Sequence, residues 1–227
     1  MARLRRFATT ACVLALLLAP FLLFLPVTVG GLTLLPADNI FQYEPFASMA
    51  STLGVGRPQN HLLSDLVLEN YAWKHFILST LGQGELPLWN PNLFAGVPFL
   101  AAGQHSALYP LSILYYVLPL EAAYGWFTVL NLGLAGVFMF VFARTLGLGR
   151  AGALFAGLAY ELSGFMLSSV VFQMIIAAAA WMPLVLAMAD RIIHQAPGLR
   201  GRPATVPWAV LGAFALGCQI LAGHVEV

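Results

Sequence analysis

A chain of 227 residues with 60% apolar side chains and only 8% charged ones cannot clothe a soluble surface, since globular domains carry about 25% Asp, Glu, Lys and Arg. The composition is that of an integral membrane protein. The net charge of +1 and the ten Lys and Arg, which form no cluster interleaved with aromatics, exclude nucleic acid as a partner.

The first region, residues 1–35, opens with Arg3, Arg5 and Arg6 and continues into an apolar run over 11–35. A signal peptide needs an apolar core of only about 7 to 15 residues, whereas a bilayer span needs about 20. The run therefore predicts a retained transmembrane helix, kinked at Pro20 and Pro26. Cys12 and Cys218 stand in apolar runs without a partner at metal or disulfide spacing and read as small buried hydrophobes.

Residues 36–121 predict a structured extracytoplasmic loop. Charged residues and Gly/Pro breakers fill 36–106. Within it, 62–81 has apolar residues at helical spacing and predicts an amphipathic surface helix. The apolar piece 107–120 is short and interrupted by Pro110 and Pro119, so it reads as re-entrant or interfacial.

The third region, 122–227, predicts four further spans at 122–143, 152–170, 174–189 and 204–223. With five spans, Arg3, Arg5, Arg6, Arg144, Arg150, Arg191, Arg200 and Arg202 fall on one side, and only Arg57 and Lys74 on the other. By the positive-inside rule the N-terminus is cytoplasmic. The fold class is thus an all-α integral membrane protein with about five transmembrane helices plus the structured loop, multi-pass in the cytoplasmic membrane. The abrupt end at Gly-His-Val-Glu-Val reads as a truncation. No internal repeat or low-complexity segment is visible.

This topology gathers Asp38, Glu44, His61, Asp65, Glu69, Lys74, Glu85, Gln104 and His105 at the outer side, joined by His224 and Glu226. Asp38 lies just beyond the first helix, where partial desolvation would make a carboxylate a better base; the alternative is a cap for a helix starting near Ile40. His61, Asp65 and Glu69 at i, i+4, i+8 share a helical stripe, read here as a solvated face rather than a cation site. Trp89 and Asn90 in Pro-Leu-Trp-Asn-Pro, and Tyr109, suit interfacial anchoring or contact with a sugar. Glu161, deep in a span, is either an intramembrane functional acid or a protonated group bonded to Asn131 or Ser163. Asp190 and Arg191 predict a local ion pair. Walker, HExxH and Gly-x-Ser-x-Gly patterns are absent, as is a D-x-D.

The run Ser64-Asp65-Leu66-Val67-Leu68-Glu69-Asn70-Tyr71-Ala72-Trp73-Lys74, then Gly84-Glu85-Leu86-Pro87-Leu88-Trp89-Asn90-Pro91, Phe94-Ala95-Gly96-Val97-Pro98, Gln104 and Tyr109-Pro110 resembles the bacterial YfhO-like membrane protein family. Gly164-Phe165 and Leu221-Ala222-Gly223-His224 fit the same pattern. That family is similar in layout to the GT-C superfamily of glycosyltransferases. The resemblance implies transfer of a sugar from a polyprenyl-phosphate carrier, outside the membrane, to a cell-envelope glycan or glycolipid acceptor. It also implies that Asp38, at the place of the signature acid, is the catalytic base. Asn39 follows where relatives often have a second acid, and Glu69 and Ala72 replace Gln and Pro.

A phosphate leaving group departs as a stabilised anion, so one base suffices, unlike the acid and base of a glycosidase. Asp65 or Glu44 would orient Asp38 or the acceptor, and Lys74, Arg57, His61 or His105 would neutralise the phosphate. Trp89, Asn90, Gln104 and His224 complete the expected substrate-binding set. No cofactor or metal-ligand set is assigned, with a divalent cation left open. The rival readings are a transporter or flippase working through Glu161, and a non-catalytic envelope scaffold.

Overall fold

A long apolar run that keeps its own backbone hydrogen bonds internal does so as a helix. The computed structural model describes residues 2–56, 58, 60–197 and 205–224, with side chains from Phe7 onward; Arg57, Arg200, Arg202 and Glu226 lie outside the described residues. The chain is 69% helical. The longer helices are α1 (Ala2–Leu23), α2 (Ala72–Gly82), α3 (Leu120–Thr145), α4 (Arg150–Glu161), α5 (Gly164–Ser168), α6 (Gln173–Ile193) and α7 (Thr205–Leu221).

Three stretches are long and apolar enough to cross a membrane: Leu120–Thr145, Arg150–Ser168 and Gln173–Ile193. The other two predicted spans are shorter in the described residues, Phe7–Leu23 and Thr205–Leu221. At about 1.5 Å per residue the latter reaches about 25 Å, against a hydrocarbon core of about 30 Å. Pro20 is carried inside α1, whereas Pro26 sits in the first turn of a separate short helix, Leu25–Thr28. A proline has no N–H to give and is tolerated at such a start. The Arg150–Ser168 stretch is broken at Leu162 and Ser163, where the Ser163 hydroxyl accepts the Met166 N–H at 3.3 Å and starts α5.

Helix α3 is the hub, packed against α1, α4 and α6, while α7 packs on α6. Glycines set how closely α1, α3 and α4 approach. A Cβ on Gly157 would stand 2.8 Å from the Gly136 carbonyl oxygen and 2.8 Å from Leu16 Cδ2. Small residues that let backbones meet are the usual device where apolar surroundings supply no hydrophobic drive between helices. The main core runs from Tyr109 and Tyr115 through Phe127 and Leu132 to Ala177, Trp181 and Cys218.

The predicted loop is a folded cap on one end of this bundle. It contains a 3-10 turn at Ala37–Gln42, a π-helical turn at Leu66–Tyr71 running into α2, and the two-residue strands β1 (Trp89–Asn90) and β2 (Val97–Pro98), paired antiparallel with Trp89 opposite Pro98. The 107–120 piece becomes a turn at Pro110–Ser112 and a five-residue helix, Ile113–Val117, far too short to cross. Buried polar bonds fasten the cap to the bundle. Tyr109 Oη donates to Asn131 Oδ1 at 2.5 Å and accepts Trp181 Nε1–H at 2.9 Å, and Tyr124 Oη donates to Asn70 Oδ1 at 2.9 Å.

Candidate functional site

The π-helical turn and α2 put one face into the cap and turn the other outward. Leu66, Val67, Asn70, Lys74 and Ile77 are buried. Asp65, Glu69 and Trp73, four residues apart, all line a cleft of about 190 Å³. The stripe predicted as His61, Asp65 and Glu69 is therefore displaced by one step: His61 is bonded to Gln42 instead and does not line the cleft. A π turn widens the helix locally, a distortion that recurs at functional sites.

The opposite wall comes from two distant parts of the chain. Gln104 follows Gly103, and His224 follows Gly223 at the end of α7; both side chains line the same cleft, with Phe172, Met174 and Ile175 behind them. Gly223 has φ of +91°, and a Cβ there would lie 2.7 Å from the Gly103 carbonyl oxygen and 3.0 Å from Gln104 Cα. Only glycine meets both demands. Ser106 Oγ donates to the Ala222 carbonyl at 2.5 Å beside this crossing and locks it. The Leu-Ala-Gly-His segment thus brings His224 to the cleft that Gln104, Asp65 and Glu69 also line.

Across the ridge formed by Glu69 and Trp73 lies a second, wider cleft of about 340 Å³. Its walls are aromatic, with Trp73, Phe76 and Phe94, and its polar groups are Glu69, Asn90 and Asn92. Phe94 is 91% exposed and held at φ of +48°, an uncommon conformation for a bulky residue. Asn90 is buried and its Oδ1 accepts the Asn92 N–H at 2.9 Å, which leaves its amide NH₂ as the group to offer a ligand. Aromatic faces with a few amide and carboxylate groups suit a sugar ring, which has apolar faces and a polar rim.

The remaining expected site residues are placed as follows. Asp38 is exposed in the first turn of Ala37–Gln42, on a segment packed against the turn that carries Glu69, yet it lines neither cleft. It caps nothing: among the described residues its carboxylate accepts no hydrogen bond, and the cap position is Pro36. Glu44 is exposed and also outside both clefts. Trp89 is exposed, covers Gly96, and lines neither cleft. Arg57 lies outside the described residues.

Lys74 and His105 are turned inward, not toward a phosphate. Lys74 is 3% exposed; its Nζ donates to the His105 carbonyl and lies 4.4 Å from the centre of the Tyr115 ring. Burial pulls its pKa down to about 7. His105 stacks on Phe99 at 4.3 Å. Its Nε2–H donates to the Phe99 carbonyl at 2.9 Å and its Nδ1 accepts the Ala107 N–H at 3.1 Å, a pattern only the neutral ring can make. Burial lowers its pKa as well. Both side chains hold the cap together.

Inside the bundle, Glu161 is completely buried and neither carboxyl oxygen has a hydrogen-bond partner. The predicted partners are engaged elsewhere: Asn131 with Tyr109 and the Phe127 carbonyl, Ser163 with Met166. The expected Asp190–Arg191 pair is replaced by Asp190 with His194 at 3.1 Å, while Arg191 lies over Trp208 at 5.3 Å.

Sequence reasoning assigned Glu69 to a solvated face and did not single out Trp73, Phe76 or Asn92 as site residues. The usable signal was the four-residue spacing of Asp65, Glu69 and Trp73. Among the described residues no group of three His, Cys, Asp or Glu could hold a metal ion. The chain matches no protein-family model, no curated protein and no solved structure.

Proposed function

We propose that this protein transfers a sugar from a polyprenyl-phosphate carrier to a cell-envelope glycan or glycolipid on the outer face of the cytoplasmic membrane, with five helices crossing the bilayer and the N-terminus inside. The observation that carries the reading is the pair of clefts divided by the Glu69–Trp73 ridge. A group transfer needs two substrates side by side, and this face offers two adjoining sites of different chemistry. The aromatic cleft takes the acceptor sugar. The narrower one takes the donor, with Gln104 and His224 donating to the phosphate.

In the reaction the acceptor oxygen attacks the anomeric carbon, the bond from that carbon to the phosphate oxygen breaks, and the phosphate keeps the electron pair and leaves as an anion. The acceptor's proton passes to a carboxylate. Asp65 is the acid we assign, because it lines the donor cleft; Glu69 on the ridge would orient the acceptor. Asp38, the base that the YfhO-like resemblance implies, stands on the neighbouring segment and is the rival for the same role. General-base help is worth about 10² to 10⁴ in rate. Asp65→Asn should therefore cost at least about a hundredfold in transfer by normally inserted protein, and Asp38→Asn much less. The reverse ranking would give the base role to Asp38, and two active variants would overturn the transferase reading.

A second reading has its own observation. A buried carboxyl without a partner, as at Glu161, is the mark of an intramembrane proton or ion site. Glu161→Gln should leave sugar transfer largely intact; loss of all function in a normally inserted Gln variant would favour proton-coupled transport.

A further inference from the structure

The end of the bundle opposite the two clefts carries its own built site. Arg144 and Arg191 stand in the last turns of α3 and α6, and both line an open crevice of about 390 Å³ together with Thr9, Thr145, Phe140 and Val141. The helices α1, α3 and α6 each contribute. Among the described residues neither guanidinium has a carboxylate partner; Asp190, the acid at this end, lies 3.1 Å from His194 Nδ1 instead. Arg144 donates through Nη1 to the Leu148 carbonyl, and Arg191 lies over the Trp208 ring, so both heads are positioned while most of their N–H donors stay unspent.

We propose that this crevice binds the phosphate of an anionic phospholipid headgroup. A guanidinium fork matches two phosphate oxygens at once. Phe140 and Val141 supply the apolar wall that the start of an acyl chain would follow. Basic pockets between helices on the cytoplasmic side take lipid headgroups of this charge, and the crevice sits where the basic ends of the helices converge. A free phosphate has the same charged group but nothing for the apolar wall, which is why the lipid is the occupant chosen.

The test uses the full chain in mixed-lipid nanodiscs, with retained lipid counted by native mass spectrometry after extraction. Wild-type protein should retain phosphatidylglycerol over phosphatidylcholine, and millimolar inorganic phosphate should not displace it. The double change Arg144→Gln and Arg191→Gln should lower that retention by about tenfold or more, at about fivefold per basic contact. Each single change, Arg144→Gln or Arg191→Gln, should lower retention by about fivefold; Arg150→Gln removes the same single charge from that end and reaches the crevice only by donating through Nε to Thr9 Oγ1 at 2.9 Å, so it should change retention less than twofold. If the double Gln variant does not insert, the Arg144→Lys and Arg191→Lys pair decides, because it keeps the charge and loses only the forks; it should still retain clearly less lipid than wild type. Displacement by inorganic phosphate, a loss in Arg150→Gln as large as in either single crevice variant, or wild-type retention in the Lys pair when the Gln pair fails to insert would each overturn the proposal.

Discussion

Lys74 makes the stability of the cap rise with pH above neutrality. The ammonium is buried, among the described residues no carboxylate pairs with it, and burial brings its pKa from 10.5 to about 7. In the unfolded cap the same group titrates at its ordinary value. Between about pH 7 and pH 10.5 the unfolded state therefore binds more protons than the folded one, and stability rises with pH across that window. Below pH 7 both states are protonated and the folded state bears the whole cost of burying the charge. One pKa unit corresponds to about 1.36 kcal/mol, so this residue alone makes the cap roughly 4 kcal/mol less stable at pH 6 than at pH 10.

Lys74→Met separates this effect from ordinary packing. The thioether keeps most of the volume and removes the charge, while the His105 carbonyl loses its donor, a cost of about 1 to 3 kcal/mol. At pH 6 the gain exceeds the loss and the variant should be the more stable protein; at pH 10 the order should invert. Hydrogen exchange of the amides around Phe99 to Tyr109, followed in detergent or nanodiscs from pH 6 to pH 10 with the intrinsic rate divided out, reads the cap without requiring the bundle to unfold. Protection in wild type should rise with pH and that of the Met variant should stay nearly flat. Parallel profiles, or a wild-type profile without slope, would refute the reasoning.

Gly136→Ala would drive a methyl group to within 2.6 Å of Glu161 Cδ, so it should destabilise by about 1 to 3 kcal/mol, measured as a lowered midpoint of thermal unfolding, and Glu161→Ala in the same chain should recover part of it. Single cysteines at Ser51 and Gln83 should react with an impermeant thiol reagent added outside intact cells, and one at Gly149 should not; labelling of Gly149 would sink the five-span arrangement. Gly223→Ala meets both a positive φ and the Gly103 backbone, so it should displace His224 and Gln104 and weaken donor binding, seen as a raised KM, more than it lowers stability.

The helices were legible because a long apolar run has to satisfy its own backbone whatever the rest of the chain does. The run over 122–143 is realised as Leu120–Thr145 and that over 174–189 as Gln173–Ile193, differences of one to four residues at the ends. The break at Leu162 and Ser163 escaped the hydropathy pattern, since its cause is a single hydroxyl that restarts the helix. Lys74 was expected to neutralise a phosphate, whereas the carbonyl and ring that hold it inside come from His105 and Tyr115, too far along the chain for any local pattern to signal.

The cleft itself follows the same logic. Asp65 and Glu69 are close in sequence, and their common face was foreseen, but whether that face meets water or a partner wall depends on Gln104 and His224 arriving from elsewhere. The contact that brings those two together is a backbone crossing, Gly223 on Gly103, and not a side-chain pair. A glycine chosen for a backbone crossing leaves no hydrophobic or charge signal; in a single sequence it is one of 21 glycines. The motif that joins it to a histidine is what sets it apart, because Gly-His just after α7 fixes both the bend and the group it presents. The carboxylates and the imidazole are therefore one site made by two neighbouring constraints, a widened helical turn on one side and a glycine crossing on the other. A change at the glycine crossing should disturb the cleft that Gln104 and His224 line and leave the aromatic cleft beyond Trp73 in place, whereas a change in the widened turn, which carries Leu68 and Glu69, should disturb both.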